Sequence, residues 1–422
     1  MTGNLKGTKP IPTRLRSWRS PQCTLPHPAT TAVAESNELR ILLLCHEYPP
    51  IGGGAAAVCA ALASEYRLAG CSVTVVTMAY GDLPSREVID GVEIVRVPCG
   101  RKRREMASVV EALGWSARAS RLVRTYHAVR PFDVAHAHFI MPAGIVAASL
   151  KRHAQVPFVI TAHGSDVPGY NRERLKLAHV VARPWWRRIC HAADGFISPS
   201  HSLLQAIERH VTLGNPRVIP NGFWPDRFEP EGKEKRILLC SRLVERKGFH
   251  HFLEAISDLD LDGWQVDLVG DGPLFGRLSQ MAARSRTPVI MHGWINNDDA
   301  RLAELYAKAR IFVFPSEHEN CAIALLEGMG AGCALISTTI PAVTSVVGDD
   351  GVLVPPNDPQ ALRQAVLRLT ADAAECERLG ERARKRALAD FSWSSVGSQC
   401  LRYLEEHLTA RVPTERVLCA CA

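Results

Sequence analysis

The chain has 422 residues, a formal net charge of +7, 46% hydrophobic and 22% charged residues, values of a globular protein long enough for two ordinary domains. No apolar run approaches the roughly 20 residues that cross a bilayer, and the modest charge, without interleaved aromatics, points away from nucleic acid. Thirteen cysteines fall singly in apolar runs, as Cys45, Cys240 and Cys333 do, and read as reduced core residues of a cytosolic protein, with no disulfide or zinc framework.

Residues 1–38 carry scattered basic residues but no apolar core of a secretory signal, so a disordered basic leader is expected. From Leu39, short aliphatic runs alternate with helical stretches. The runs are LRILLLC, SVTVVTM, VEIVRV, DVAHAHF, PFVITAHG and DGFISPS. Strands of four to eight residues alternating with longer helices read as βαβ units on a parallel sheet. After the first run, HEYPPIGGGAAA opens a helix, and Gly52, Gly53 and Gly54 let a ligand approach the backbone at its N-terminus. It is not a G-x-G-x-x-G dinucleotide fingerprint. RKRRE, Arg101 to Glu105, reads either as a solvated loop or as a patch for an anionic membrane surface.

TAHGSD puts His163, Gly164 and Asp166 at a strand's carboxyl end, where an imidazole can donate to sugar hydroxyls or phosphate. His136 and His138 are taken to alternate between faces of their strand, so they are not expected to chelate a metal together. The Pro-, Gly- and charge-rich segment Gly222 to Gly232 reads as an interdomain linker. A second series follows: KRILLCSR, WQVDLVG, PVIMHGW, ARIFVFPS, CALIS and GVLVPP. The expected architecture is therefore α/β, two doubly wound Rossmann-like domains facing a central cleft. The domains span residues 39–222 and 223–390, with a helix over 391–410 and a flexible tail over 411–422.

In the second half, SRLVERKG holds Arg242 and Lys247 in a strand-to-helix loop, where two cations can neutralise a diphosphate without a metal. VGDGP ends the next strand in a Gly-Asp-Gly turn that includes Gly272. PSEHENCAIALLEGMGAG places Glu319 after a strand and Glu327 on the helix that follows. The plain reading is a helix cap and a surface acid. In the sharper one, the amides of Asn320, Cys321 and Ala322 form a helix N-terminus for phosphate, and Glu327 accepts from a ribose hydroxyl pair. Ala322, Gly328, Gly330 and Ala331 would let sheet and ligand come close.

Taken together, the Gly-rich loop, TAHGSD, PNGFWPDRF, SRLVERKG, VGDGP, HGWI and the E-x7-E pair resemble glycosyltransferase family 4, retaining enzymes with the GT-B fold. The pieces stand in the family's order from Leu39 to about Tyr403. The resemblance implies that Arg242 and Lys247 bind the donor diphosphate and Glu327 the nucleotide ribose. It further implies that Glu319 contacts the donor sugar, that Gly53 and Gly54 approach the diphosphate, and that His163 lies at the sugar near the acceptor. Catalytic roles would fall to Arg242, Lys247, His163 and Glu319, and donor binding to Gly53, Gly54, Gly272, Asn320, Cys321, Ala322 and Glu327. Where the family often has Phe-Gly, this chain has Asn320-Cys321-Ala322, which leaves the donor open. FSWSSVGSQCLRYLEEHL is similar to the family's last helix, which crosses back to the first domain.

The expected partners are a nucleotide-sugar donor and a glycan, lipid-linked or small-molecule acceptor. No cofactor and no metal are expected, because no Asp-x-Asp pair stands at a strand's carboxyl end. The expected location is the cytoplasm, with peripheral contact to its membrane face as an option. A sugar-nucleotide epimerase on the same fold, or a non-catalytic nucleotide-sugar binding or scaffold protein, remain as alternatives.

Overall fold

The computed structural model describes residues 38–104, 106–170 and 176–409. The expected leader, apart from Glu38, the tail and Glu105 lie outside the described residues. Among the described residues, fourteen strands form two sheets. The first contains β1 (Arg40–Leu44), β2 (Ser72–Met78), β3 (Arg86–Ile89), β4 (Val92–Val97), β5 (Val134–His138), β6 (Phe158–Thr161), β7 (Gly195–Ser198) and β8 (Pro216–Val218). Its order is β3-β4-β2-β1-β5-β6-β7-β8, parallel except where β3 runs antiparallel to β4. The second contains β9 (Glu234–Cys240), β10 (Gln265–Val269), β11 (Val289–Gly293), β12 (Ala309–Phe314), β13 (Ala334–Thr338) and β14 (Val352–Val354). It is all parallel, in the order β11-β10-β9-β12-β13-β14.

Aliphatic runs without polar alternation make sense here, because helices cover both faces of each sheet. In β1, Ile41 and Leu43 pack into one hydrophobic cluster while Leu42 and Leu44 pack into another. Leu238 and Leu239 of β9 divide in the same way. The described cysteines are free, and all but the half-buried Cys240 are buried.

Strand order reverses between β1 and β5 in the first sheet and between β9 and β12 in the second. Such switch points part the loops that follow the two strands and open a crevice at the strands' carboxyl ends. The Gly-rich loop follows β1, the Arg242–Lys247 loop follows β9, and the Glu319 loop follows β12. Chain order alone thus carries three of the expected site segments to switch points.

The chain passes between the sheets twice, and the two passages pair. Phe223 N donates to Phe391 O at 2.9 Å, and Trp393 N donates to Phe223 O at 3.0 Å. Gly222 is required there, since a Cβ would stand 2.7 Å from the Trp393 ring. The helix Trp393–Thr409 then lies on the helix Gly54–Leu68 of the first half. Trp393, Val396, Cys400, Tyr403 and Leu404 complete the cluster containing Ile41, Leu43, Val73 and Val75. The Tyr403 hydroxyl accepts from Phe196 N at 2.9 Å, and Arg217 meets Glu406 through two bonds of 2.9 and 3.0 Å.

Candidate functional site

The loops after β9 and β12 are joined before any side chain is considered. Gly248 takes φ +68° and starts the helix Phe249–Ile256, and a Cβ on it would fall 2.1 Å from Pro315 O. Glu317 N donates to Arg246 O at 2.9 Å, and Ser316 Oγ lies 3.0 Å from the same oxygen. This close backbone contact sets Lys247 beside Glu319. Lys247 Nζ donates to Glu319 Oε1 and lies 5.1 Å from the centre of the Phe314 ring. Ser316 Oγ donates to the same carboxylate oxygen at 2.6 Å. Arg242, in contrast, is exposed, and its guanidinium has no hydrogen-bond or ion-pair partner among the described residues.

Glu327 sits in the helix Ile323–Gly330 in different surroundings. Burial pushes its carboxyl above the usual range, while the Arg227 charge and the Tyr306 hydroxyl pull the other way. Sequence reading passed over Arg227 and Tyr306: the first lies in the linker segment, and the second is an aromatic in an ordinary amphipathic helix. Gly328 and Gly330 admit Phe312 and Phe223, whose ring atoms would stand 2.6 and 2.1 Å from an added Cβ. Those two glycines therefore serve close packing against the sheet and the linker.

The structure refines one expectation for this half. The helix begins at Ile323, so Asn320, Cys321 and Ala322 lead into it and are not its first turn. The side chains of Asn320 and Cys321 and the Cys321 carbonyl make contacts of their own. Ser200 Oγ donates to Asn320 Oδ1 at 2.7 Å, and Asn221 Nδ2 to Cys321 O at 2.8 Å, while Asn221 N approaches Cys321 Sγ at 3.4 Å. Gly272 is needed because Leu243 O would lie 2.5 Å from a Cβ there, a backbone approach between two loops.

In the first half, Gly53 and Gly54 are exposed, and an added Cβ would meet nothing within 4 Å of either. Gly52, at φ +92°, packs on Glu47. The basic run closes over this loop. Arg101 is buried and donates to His46 O, Arg103 O and Arg104 O at 3.1, 2.9 and 3.0 Å, while Gly52 N donates to Arg104 O at 3.1 Å. Arg101 is thus a clamp on the Gly-rich loop and is lost to any surface patch; Lys102, Arg103 and Arg104 remain exposed.

His136 and His138 share one face of β5, their ring centres 4.6 Å apart, because residues two apart on a strand point the same way. The expectation of opposite faces is therefore wrong. The absence of a chelating pair has another cause: both His136 nitrogens are engaged, with Tyr66 Oη at 3.1 Å and Thr161 Oγ1 at 2.7 Å. His138 Nδ1 instead meets His163 Nε2 at 3.1 Å. Asp166 fixes the His163 turn, accepting from His163 N at 3.1 Å and from Ile140 N at 2.7 Å. Burial pushes His163 down to about 3, and His46 likewise to about 3 with Arg101 adding to the effect. His163 is accordingly a neutral imidazole at physiological pH.

The two halves touch at the Glu319 loop. The Tyr170 hydroxyl donates to Glu319 O at 2.9 Å, and its ring meets His318 edge-on at 4.7 Å. Gly164 leaves room for that ring, with Tyr170 Cε1 2.9 Å from a notional Cβ. Neither Tyr170 nor Ser200 carried a sequence signal. Together these contacts bring the segment holding His163 towards the segment holding Lys247 and Glu319.

Comparison with known proteins gives two matches along the chain. Residues 52–227 match the family model of Glycosyltransferase Family 4, and residues 234–372 that of Glycosyl transferases group 1. An uncharacterized glycosyltransferase of Methanocaldococcus jannaschii is 26% identical over 391 residues, covering 86% of this chain and 96% of its own. A glycogen synthase of Mycobacterium tuberculosis is 26% identical over 411 residues, covering 90% and 98%. Among solved structures, sucrose-phosphate synthase from Thermosynechococcus elongatus superposes with a TM-score of 0.74 at 23% identity, over 88% of this chain and all of that one. Anabaena HepE in complex with UDP and glucose gives 0.68 at 18% identity, over 87% and 100%.

Proposed function

The chain belongs to the glycosyltransferases of family 4 and group 1 and has their GT-B fold, and from that premise we propose that it transfers a sugar from a nucleotide-sugar donor with retention at the anomeric carbon and without a catalytic metal. The observation that carries this reading is the paired Lys247 and Glu319, with Arg242 of the same loop unpaired among the described residues, at the switch point of the second sheet. Bond cleavage leaves the electron pair of the anomeric C–O bond on the departing diphosphate. Two cations offset that charge as it develops, a stabilisation that matters most where water is excluded. Glu319, held by Lys247 and Ser316, is oriented to accept from a donor hydroxyl. Neutral His163 can donate to the sugar or to the acceptor. The acceptor's proton goes to the leaving phosphate oxygen, so no separate general base is required.

The donor is supported as a nucleoside diphosphate sugar by the UDP-bound HepE structure, which shares the fold. The relatives compared are glycosyltransferases, which leaves an epimerase reading without support. The direct test is a panel of nucleotide sugars with NMR analysis of the product's anomeric configuration. Lys247→Ala should lose about 3 kcal/mol of transition-state stabilisation, roughly a hundredfold in rate. Wild-type turnover by that variant, inversion in the product, or an absolute need for Mg²⁺ or Mn²⁺ after EDTA would each overturn a stated part.

Peripheral attachment to an anionic membrane is a further part of this reading. Lys102, Arg103 and Arg104 are exposed, and so are Val109, Val110 and Leu113 at the start of the helix Val109–Val129. Basic residues near such a surface contribute about 1 kcal/mol each, and salt screens the effect. Sedimentation with anionic vesicles should fall in high salt; equal binding to neutral vesicles would refute it. Among the described residues no helix is long and apolar enough to cross a membrane.

A further inference from the structure

The helix Phe249–Ile256 begins with two adjacent histidines that the transfer reaction does not use. His250 and His251 have ring centres 3.9 Å apart, and Nδ1 of each is buried without a hydrogen-bond partner. Glu317, from the loop after β12, faces His251 Nε2 with Oε1 at 3.7 Å. One nitrogen of each ring and one oxygen of Glu317 lie within 4.8 Å of one another. On the far side, Glu245 Oε2 stands 3.5 Å from His250 Nε2.

These separations are too long for good hydrogen bonds. A tetrahedral ion with bonds of about 2.0–2.1 Å holds its ligand atoms about 3.3–3.4 Å apart. The pair His251–Glu317 needs a shift of a few tenths of an ångström to match. Glu317, whose side chain is one-third exposed, has room to turn towards the two rings. Two imidazoles and one carboxylate are a set that suits Zn²⁺, with a fourth position for water. Glu245, 3.5 Å from His250 Nε2, would need to move closer by about half an ångström to take that ring's N–H, as carboxylates behind ligating histidines do.

We propose that His250, His251 and Glu317 bind a Zn²⁺-class divalent cation that ties the loop after β9 to the loop after β12. The ion joins the two segments that carry Lys247 and Glu319, already linked by the Glu317 amide to the Arg246 carbonyl. Its role is to hold these loops together, and neutralising the donor diphosphate remains with Arg242 and Lys247. Sequence spacing hides the site. Adjacent histidines are not the i, i+4 pair of a helical metal motif, and Glu317 comes from another strand's loop.

The test uses the full chain, stripped with EDTA, dialysed and titrated calorimetrically with ZnCl₂ in the absence of any donor. Wild type should bind one more equivalent than the His250→Gln/His251→Gln double variant, and its melting temperature should rise with added Zn²⁺. Glu317→Gln, a change at a partly exposed position, should weaken that equivalent at least tenfold. Equal stoichiometry in wild type and the double variant, or unchanged affinity in Glu317→Gln, overturns the site. If the double variant fails to fold, the Glu317→Gln comparison decides alone. Binding and melting are read without turnover, so a failure here is distinct from a failure of the glycosyltransfer reading.

Discussion

Glu319 and Glu327 look alike in the sequence, but their partners make them different groups. Glu319 already accepts from Lys247 and Ser316, whereas Glu327 is shielded with Arg227 and Tyr306 nearby. If Glu327 takes the ribose, Glu327→Gln removes a hydrogen bond to a charged group, about 1.5–3 kcal/mol, and raises the dissociation constant of a bare nucleoside diphosphate roughly ten- to a hundredfold. Glu319→Gln acts in the other direction on that ligand. It frees Lys247 from its ion pair, so diphosphate affinity is unchanged or higher while transfer falls. Calorimetry on both variants separates the two; equal loss in both would dissolve the division of labour, and wild-type binding by both would make the pair structural. The carboxylates were legible as a spaced pair, and so was the cationic loop. Arg227, Tyr170 and Ser200 were not, because each acts through a contact far along the chain that no local pattern records.

At the scale of elements, one glycine decides how two site loops meet. Gly248→Ala would place a methyl against Pro315 O and force L-stereochemistry into a left-handed backbone, costing at least about 1–2 kcal/mol before the clash is counted. Transfer should fall further than the melting temperature suggests, because the loops carrying Lys247 and Glu319 part. A variant with wild-type melting and turnover would show that the close approach is dispensable. Twelve strands were readable because each is a short apolar run in a parallel ladder, most of them buried, with β11 and β14 at the second sheet's edges only partly so. Two strands were missed for physical reasons. β3 is an edge strand with exposed residues and pairs only with β4, though the Asp90-Gly91 turn, both residues at positive φ, was the available hairpin signal. β8 has three residues and opens with Pro216, the profile of an edge rather than a core strand. The start of the helix Ile323–Gly330 was misread because small apolar residues precede it without a capping side chain.

For the whole molecule, acid is the weak direction. His46, His136 and His163 are held neutral down to about 3, and His138 is lowered as well, all chiefly by burial. Their unfolded counterparts take up protons near 6.5, so the unfolded state binds more protons below that value. Stability therefore falls as pH drops from about 6.5 towards 3, by up to about 1.4 kcal/mol per pH unit for each histidine. Asp166 and Glu327, whose carboxyls burial raises, work against this. Urea unfolding at pH 7 and pH 5 should show the loss, and His163→Gln should reduce the slope; a flat profile would mean these rings are solvated. The last helix has a consequence of another kind, in time. The first sheet is finished long before Trp393, Val396, Cys400, Tyr403 and Leu404 exist to cover its Ile41–Leu43 face. At usual rates of synthesis, roughly 10–40 s pass between the emergence of Asn221 and that of Leu404. During that interval the nascent first half presents a bare apolar surface. Residues 38–222 expressed alone should aggregate, and a peptide of residues 391–409 supplied in trans should restore solubility. A soluble, monomeric fragment without the peptide would show that the sheet closes by itself, and the order of translation would then set no deadline for folding.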